Sequence, residues 1–334
     1  MKRTILYLLL FLAGWQWAAG TGLRAQNTAV TGDLSNTVPA EKWVLVIHGG
    51  AGGPPKGTMP QDIEQRFSDK LKEAMEIGAG ILGKGGQSLD AVEAVIRFME
   101  DCPLFNAGKG AVLNEEGVAE LDASIMDGKT GLAGAVAGVT TIKNPVSAAR
   151  AVMDKSPYVM LIGAGAEQFA RRIGLEIVDP SYFITDVQLE KWKKSREEKH
   201  GTVGAVALDM HGDLAAATST GGMMNKMQGR IGDSPVIGAG TYADNATCAV
   251  SCTGHGEFFI RNVVAYDVSA LMKYKKMSLQ DAAGFIILEK LKSMNASGGL
   301  IAVDKEGNIT MPFNTNLMFR GFMTSEGKTE VQVY

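Results

Sequence analysis

Apolar positions along the chain change their period several times, and each change marks an element. Residues 43–47 form a short unbroken apolar run of the kind a buried strand shows. Residues 61–82 repeat at helical spacing, as does a second stretch opened by Ser88, whose Val92, Val95, Ile96 and Met99 fall on one face. Ser88 is the residue type that caps such a helix. Two small-residue apolar runs, TVGAVALD from Thr202 and LAAATST from Leu214, flank a turn containing His211 and Gly212, and predict a β-hairpin. Residues 247–252 read as another strand and residues 258–273 as a long helix. A capping box at Ser278 and Asp281 opens a helix reaching Lys292. Residues 300–303 and 308–311 form a last hairpin around Lys305-Glu306-Gly307. Hairpins mixed with helices in this order suit an α+β fold, a sandwich of two sheets faced by helices, better than a parallel doubly wound sheet.

Composition narrows the class. With 334 residues and 46% hydrophobic content the body can bury a full core. A net charge of −3 without a basic stripe argues against a nucleic-acid partner. Lys2-Arg3 precede an apolar run over residues 5–13, and small residues follow to Ala25, the pattern of a signal peptide cut after residue 25. The stretch is too short and interrupted to span a membrane convincingly, so a periplasmic or secreted protein is expected, preceded by a polar lead-in over residues 26–41. Three cysteines, Cys102, Cys248 and Cys252, allow at most one disulfide, and the last two share a face of one strand, which is poor geometry for pairing.

The candidate chemistry gathers around Thr202. Residues 184–200 carry nine charges of mixed sign and lead to Gly201-Thr202. Such a stretch is hard to bury. A threonine hydroxyl needs a base beside it, and the α-amine of the same residue, with a pKa of about 7.7–8.0, becomes available if the bond after Gly201 is cut. An ordinary surface helix leading into a strand fits the same residues. The hairpin sets Thr202 opposite Thr220, as a second hydroxyl beside a nucleophile or as a Thr–Thr pair closing the hairpin. In the glycine-rich loop that follows, Arg230 offers a bidentate fork for a carboxylate and Asp233 an acceptor for an ammonium group; a surface Arg–Asp pair is the plainer alternative. The strand-to-helix junction at Thr253-Gly254-His255 exposes backbone N–H groups suited to an oxyanion, with His255 read as a loop residue.

With these elements in place, the chain resembles the isoaspartyl peptidase and plant-type asparaginase family of N-terminal-nucleophile hydrolases. The motifs that carry the resemblance are HGGAGG (from His48), DCPLFNAGKGAVL (from Asp101), LDASIMDG (from Leu121), GTVGAVALD (from Gly201), TSTGG (from Thr218), GRIGDSP (from Gly229) and SCTGHGE (from Ser251). The resemblance implies an αββα sandwich, with residues 26–201 as an α subunit and residues 202–334 as a β subunit released by autocleavage between Gly201 and Thr202. It implies Thr202 as nucleophile, Thr220 as its supporting hydroxyl, and Thr253 with Gly254 as the oxyanion and substrate-binding pair. Arg230 would hold the substrate α-carboxylate, Asp233 its α-amine, and Asn106 would approach the nucleophile side. No catalytic cofactor is implied. A structural sodium ion is, held by backbone carbonyls of Met99, Glu100, Cys102, Phe105, Ala107 and Lys109. The implied substrates are small molecules, β-aspartyl dipeptides and L-asparagine, and the implied assembly is a dimer of αβ heterodimers with no membrane partner once the signal is removed. The related glycosylasparaginases, which usually carry aspartate where Gly201 stands, and a non-catalytic exported amino-acid-binding protein are the competing readings.

Two further motifs carry less. GAGILG at residues 78–83 matches a dinucleotide fingerprint but ends a helix instead of following a strand. HGGAGG lacks the Gly-Lys-Ser/Thr of a phosphate loop and reads as a tight structural turn near the site.

Overall fold

The computed structural model describes residues 42–194 and 201–334; the expectations for residues 1–41 and for the end of the charged run, 195–200, lie outside them. In chain order the elements that place the site are β1 (Val44–Ala51), α1 (Gln61–Leu82), α2 (Ser88–Asp101), β2 (Leu121–Asp127), β3 (Ala133–Val139), α3 (Pro145–Lys155), β4 (Met160–Ile162), α4 (Gly163–Arg172) and α5 (Asp186–Lys194). Beyond Thr202 come β5 (Val203–Leu208), β6 (Leu214–Thr220), β7 (Thr241–Ala243), β8 (Cys248–Gly254), α6 (Gly256–Asn262), α7 (Val264–Lys275), α8 (Leu279–Gly284) continued by a π-helical turn (Phe285–Leu291), β9 (Gly298–Asp304), β10 (Ile309–Thr310), β11 (Met318–Thr324) and β12 (Thr329–Gln332).

The strands form an eight-stranded sheet in the order β12-β11-β1-β5-β6-β2-β3-β4 and a four-stranded sheet in the order β10-β9-β8-β7. Within them only β3 and β4 pair in parallel; the other pairings are antiparallel. Strand parity distributes the side chains. Leu45 and Ile47 of β1, Ala205 and Ala207 of β5, and Ala215 and Ala217 of β6 pack with α1, α2 and α3 in one apolar cluster. The alternate residues Val44, Val46, Val206, Leu208 and Ala216 meet Ala249, Ile301 and Val303 of the smaller sheet in a second. Cys248, Val250 and Cys252 of β8 turn away from that layer toward α7, α8 and the π-helical turn in a third. The fold is α+β with a large mixed sheet, and by the same parity Thr202 and Gly204 face the layer between the sheets.

Three local expectations are corrected. Ser88 is the first residue of α2, not its cap; Gln87 precedes it and no side chain caps locally. The reason is a distant carboxylate: Asp209 in the β5–β6 turn accepts from the Ser88 backbone N–H at 2.8 Å, satisfying an orphan donor and placing negative charge at the helix N-terminus. The helix expected over residues 258–273 starts at Gly256 and breaks at Val263, which adopts φ 49°. There the N–H groups of Ala265 and Tyr266 bond the carbonyls of Ala239 and Gly238, pulling the chain out of register. Along the charged run, residues 186–194 form α5, the surface helix of the alternative reading; it docks through Gln188, whose Nε2 donates to the Gly110 carbonyl, and Trp192, whose Nε1 donates to the Asn114 carbonyl, and pairs Lys194 with Glu190 at 2.9 Å. HGGAGG is no turn; its first four residues end β1, with a bulge between His48 and Gly50. Ser278 does cap α8, accepting from the Asp281 N–H at 3.1 Å.

Candidate active site

The β5–β6 register pairs Val203 with Ser219, so the next residues out, Thr202 and Thr220, stand opposite each other as the sequence spacing predicts. Thr202 is buried, and its hydroxyl donates to Thr220 Oγ1 at 3.1 Å. The Thr220 hydroxyl donates in turn to the Gly201 carbonyl at 2.9 Å and accepts from the Gly222 N–H at 2.9 Å. Asn106 arrives from the loop after α2. Its Nδ2 donates to the same Gly201 carbonyl at 2.7 Å and to the Gly222 carbonyl at 2.8 Å, while the Val112 N–H fixes its Oδ1. The carbonyl preceding Thr202 therefore receives two donors. The β1 bulge closes the other side: Gly50 has φ +110°, and a Cβ there would lie 3.1 Å from the Thr202 nitrogen. Only glycine satisfies both the conformation and the contact.

Arg230 and Asp233 line the same pocket as Gly201, Thr202, Thr220 and Gly254. Asp233 is buried, and its Oδ2 has no hydrogen-bond partner. Burial pushes its carboxyl up to about 7, with Arg230 opposing the rise. A buried acceptor without a donor suits a cationic ligand group. The Arg230 fork is engaged: Nε and a terminal nitrogen each donate at 2.9 Å to the two oxygens of Glu257, in the first turn of α6. Glu257 thereby presents to Arg230 the bidentate carboxylate geometry that a ligand carboxylate would present. Sequence reading quoted Glu257 inside a motif without assigning it a role; its place on a helix start next to Gly254 was the available signal.

Thr253 and Gly254 part company. Gly254 lines the pocket, whereas the Thr253 hydroxyl accepts from the Ala51 N–H at 3.2 Å and ties the end of β1 to β8. His255 sits ahead of α6 with its N–H on the Ser297 carbonyl, outside the pocket lining. Below the clamp lies a set of buried charges that sequence reading missed. Asp122, cross-strand from Thr220, accepts from the Gly138 N–H and keeps one oxygen unpartnered, and burial raises its carboxyl to about 6. Lys226 donates to the Glu120 carbonyl at 2.9 Å, with its ammonium pKa lowered by burial.

The loop expected to hold sodium contributes Met99, Glu100, Cys102, Phe105, Ala107 and Lys109. The carbonyls of Met99, Cys102 and Ala107 each accept one backbone N–H, which leaves each a second lone pair. The carbonyls of Glu100 and Phe105 point into the space beside Gly108 and Gly110, where an added Cβ would come within 2.2 and 2.1 Å of them. Backbone carbonyls are hard oxygen donors of the type a sodium ion takes, so the chemistry of this donor set fits one. Among the described residues no group of histidine, cysteine, aspartate and glutamate side chains could hold a metal, and the three cysteines are unpaired.

Fold and pocket together have the make-up of an α+β hydrolase. Residues 41–333 match the family described as Asparaginase, and the chain belongs to that family. It is 50% identical over 297 residues to the isoaspartyl peptidase of Escherichia coli strain K12, covering 84% of this chain and 92% of that protein. It is 42% identical over 276 residues to the human isoaspartyl peptidase/L-asparaginase, covering 79% of this chain and 88% of that protein. The zebrafish isoaspartyl peptidase/L-asparaginase is also 42% identical, over 282 residues, with 81% and 89% covered.

Proposed function

We propose that this chain is a self-processing amidohydrolase that releases L-aspartate from β-aspartyl dipeptides and from L-asparagine, built as an αββα sandwich of the N-terminal-nucleophile type. The observation that carries the reading is the Gly201 carbonyl, which accepts from both Thr220 and Asn106 while the hydroxyl of Thr202 stands beside it and the Arg230–Asp233 clamp faces the same pocket.

In the intact chain Thr202 Oγ1 attacks the Gly201 carbonyl carbon, passing its proton toward Thr220. Negative charge gathers on the Gly201 oxygen, where the Asn106 amide and the Thr220 hydroxyl already point; a preorganised donor of this kind contributes about 2.7–4 kcal/mol. The tetrahedral carbon then expels the Thr202 nitrogen, which takes up the proton released from Oγ1 and becomes the free α-amine; water hydrolyses the remaining Gly201 ester, giving a Gly201 carboxylate and restoring the Thr202 hydroxyl. Cleavage also clears Gly201 from the pocket, whose cavity of about 10 Å³ holds about one water while Gly201 stays in place. In turnover the amine takes the proton from its own Oγ1, which attacks the substrate side-chain carbonyl. The amine or ammonia leaves, water hydrolyses the acyl-enzyme, and aspartate departs. Arg230 takes the substrate α-carboxylate as Glu257 gives way, and Asp233 takes the α-ammonium.

Sodium on the carbonyls of Met99, Glu100, Cys102, Phe105, Ala107 and Lys109 would stiffen the loop that presents Asn106. Export through a cleaved N-terminal signal and assembly as a dimer of αβ heterodimers belong to the same proposal, supported by the Lys2-Arg3 and apolar pattern and by the family.

Denaturing electrophoresis with N-terminal sequencing tests it. Two bands, the smaller starting at Thr202, and steady-state release of aspartate from a β-aspartyl dipeptide are expected. Thr202→Ala should abolish both, and Thr202→Ser should retain part of each. Full turnover by a chain still intact at 201/202 refutes the reading.

A further inference from the structure

His48 is fully buried between the sheets, directly across the β1–β5 ladder from Gly204. Its Nδ1 lies 3.1 Å from the carbonyl oxygen of Thr202, and its Nε2 lies 3.1 Å from Ser251 Oγ. A carbonyl can only accept, so Nδ1 must carry the proton; the other tautomer would set two lone pairs against each other at that distance. A neutral ring then accepts at Nε2, and Ser251 must donate. Burial keeps the ring neutral, lowering its pKa to about 3.

Behind Ser251 runs a file of buried hydroxyls. Thr218 Oγ1 is 2.7 Å from Ser251 Oγ, Thr241 Oγ1 donates to Thr218 Oγ1 at 2.6 Å, and Ser124 Oγ reaches Thr241 Oγ1 at 2.8 Å and the Ser234 carbonyl at 2.6 Å. With Ser251 committed to His48, its free lone pair takes the Thr218 proton and Thr218 takes that of Thr241. From Thr241 to His48 the donors point one way; at the far end Ser124 donates to the Ser234 carbonyl, and the Gly240 carbonyl, 3.2 Å from Thr218 Oγ1, is a second acceptor for Thr218. The glycine of the TVG segment makes the arrangement possible: a Cβ on Gly204 would sit 2.1 Å from both His48 Nε2 and Ser251 Oγ.

We propose that His48 is a positioning residue for Thr202, holding its carbonyl through Nδ1–H, and that the hydroxyl file Ser251-Thr218-Thr241 fixes the ring in the one tautomer that can do so. The inference rests on the reading of Thr202 as nucleophile. Once the chain is cut, Thr202 is a free end whose backbone nitrogen has lost its peptide tether. The carbonyl bond to His48 and the β5 ladder then set where the amine and Oγ1 point. Neither reaches the substrate through His48, so the histidine acts on kcat and leaves the clamp residues alone.

Two variants separate position from mere packing. The Nδ2 of asparagine stands where histidine Nδ1 stands, and the Nε2 of glutamine where histidine Nε2 stands. His48→Asn is expected to mature and to turn over a β-aspartyl dipeptide within about threefold of the parent, whereas His48→Gln is expected to lose about tenfold in kcat at unchanged KM, the worth of one buried hydrogen bond. Equal kcat in the two variants, or the reverse order, overturns the proposal. A measurement on the unaltered protein stands beside them: in ¹⁵N-histidine spectra the His48 ring should be neutral with its proton on Nδ1, and a proton on Nε2 overturns the proposal whether or not the variants fold. If the unaltered protein matures without hydrolysing β-aspartyl substrates, the function fails while the tautomer still reports on His48.

Discussion

Asp233 should cost the fold stability in return for substrate binding, and the cost should depend on pH. Its carboxyl is raised from 3.8 to about 7, with burial as the largest cause. The folded state therefore holds a proton that the unfolded chain has released between those values. The stability contributed is complete below pH 4 and is lost as pH rises through 7. Roughly three pKa units at about 1.4 kcal/mol each set an upper limit near 4 kcal/mol for the loss. Asp233→Asn keeps the shape and cannot ionise. Urea unfolding of the Thr202→Ala protein with and without Asp233→Asn should give free energies that differ by about 1 kcal/mol at pH 4.5 and a variant more stable by about 3–4 kcal/mol at pH 8. In the Thr202-containing background, Asp233→Asn should lower kcat/KM about 10- to 100-fold through the lost charged hydrogen bond to the substrate ammonium. Stability differences that stay constant between the two pH values would refute the assignment of a buried, unpaired carboxylate.

Other outcomes follow from the same geometry. Asn106→Ala removes one of two donors on the Gly201 carbonyl and should slow appearance of the Thr202 chain about 10²- to 10³-fold in a time course on gels. Arg230→Lys replaces a planar fork by a point charge and should raise KM for a β-aspartyl dipeptide at least about tenfold, with a smaller change in kcat. Phe259 is fully buried and packs on the backbone of Gly254 and Gly298; Phe259→Ala should cost about 3–5 kcal/mol by chemical denaturation and raise KM as the pocket wall loosens.

Much of this molecule was legible from residue order, and the limits have physical causes. The Thr202–Thr220 pairing followed from strand period and turn position, both local. So did the Ser278 cap and the hairpin at Lys305-Glu306-Gly307. The Ser88 misreading came from Asp209, a partner 121 residues away that no local rule reveals. Val263 breaks a sound helical pattern because carbonyls of residues 238 and 239 capture the next turn. The grip of Glu257 on Arg230 and the orphaned oxygen of Asp122 arise where separate segments meet, so burial rather than sequence spacing makes them visible. His48 stood in a motif that looked like a turn, because glycines on a bulged strand and glycines in a loop are spelled alike.

The proposed cleavage at 201/202 falls in the middle of the eight-stranded sheet, where β5 lies between β1 from the chain before it and β6 from the chain after it. Severing the backbone there leaves the strand ladder intact, yet it changes how the protein can come back from denaturation. A newborn chain pairs β1 with β5 as one molecule, at a rate indifferent to dilution. A matured protein that unfolds must bring two separate polypeptides together, so its recovery should slow as concentration falls. On the proposed cleavage, refolding after maturation becomes a bimolecular step that the newborn chain does not face.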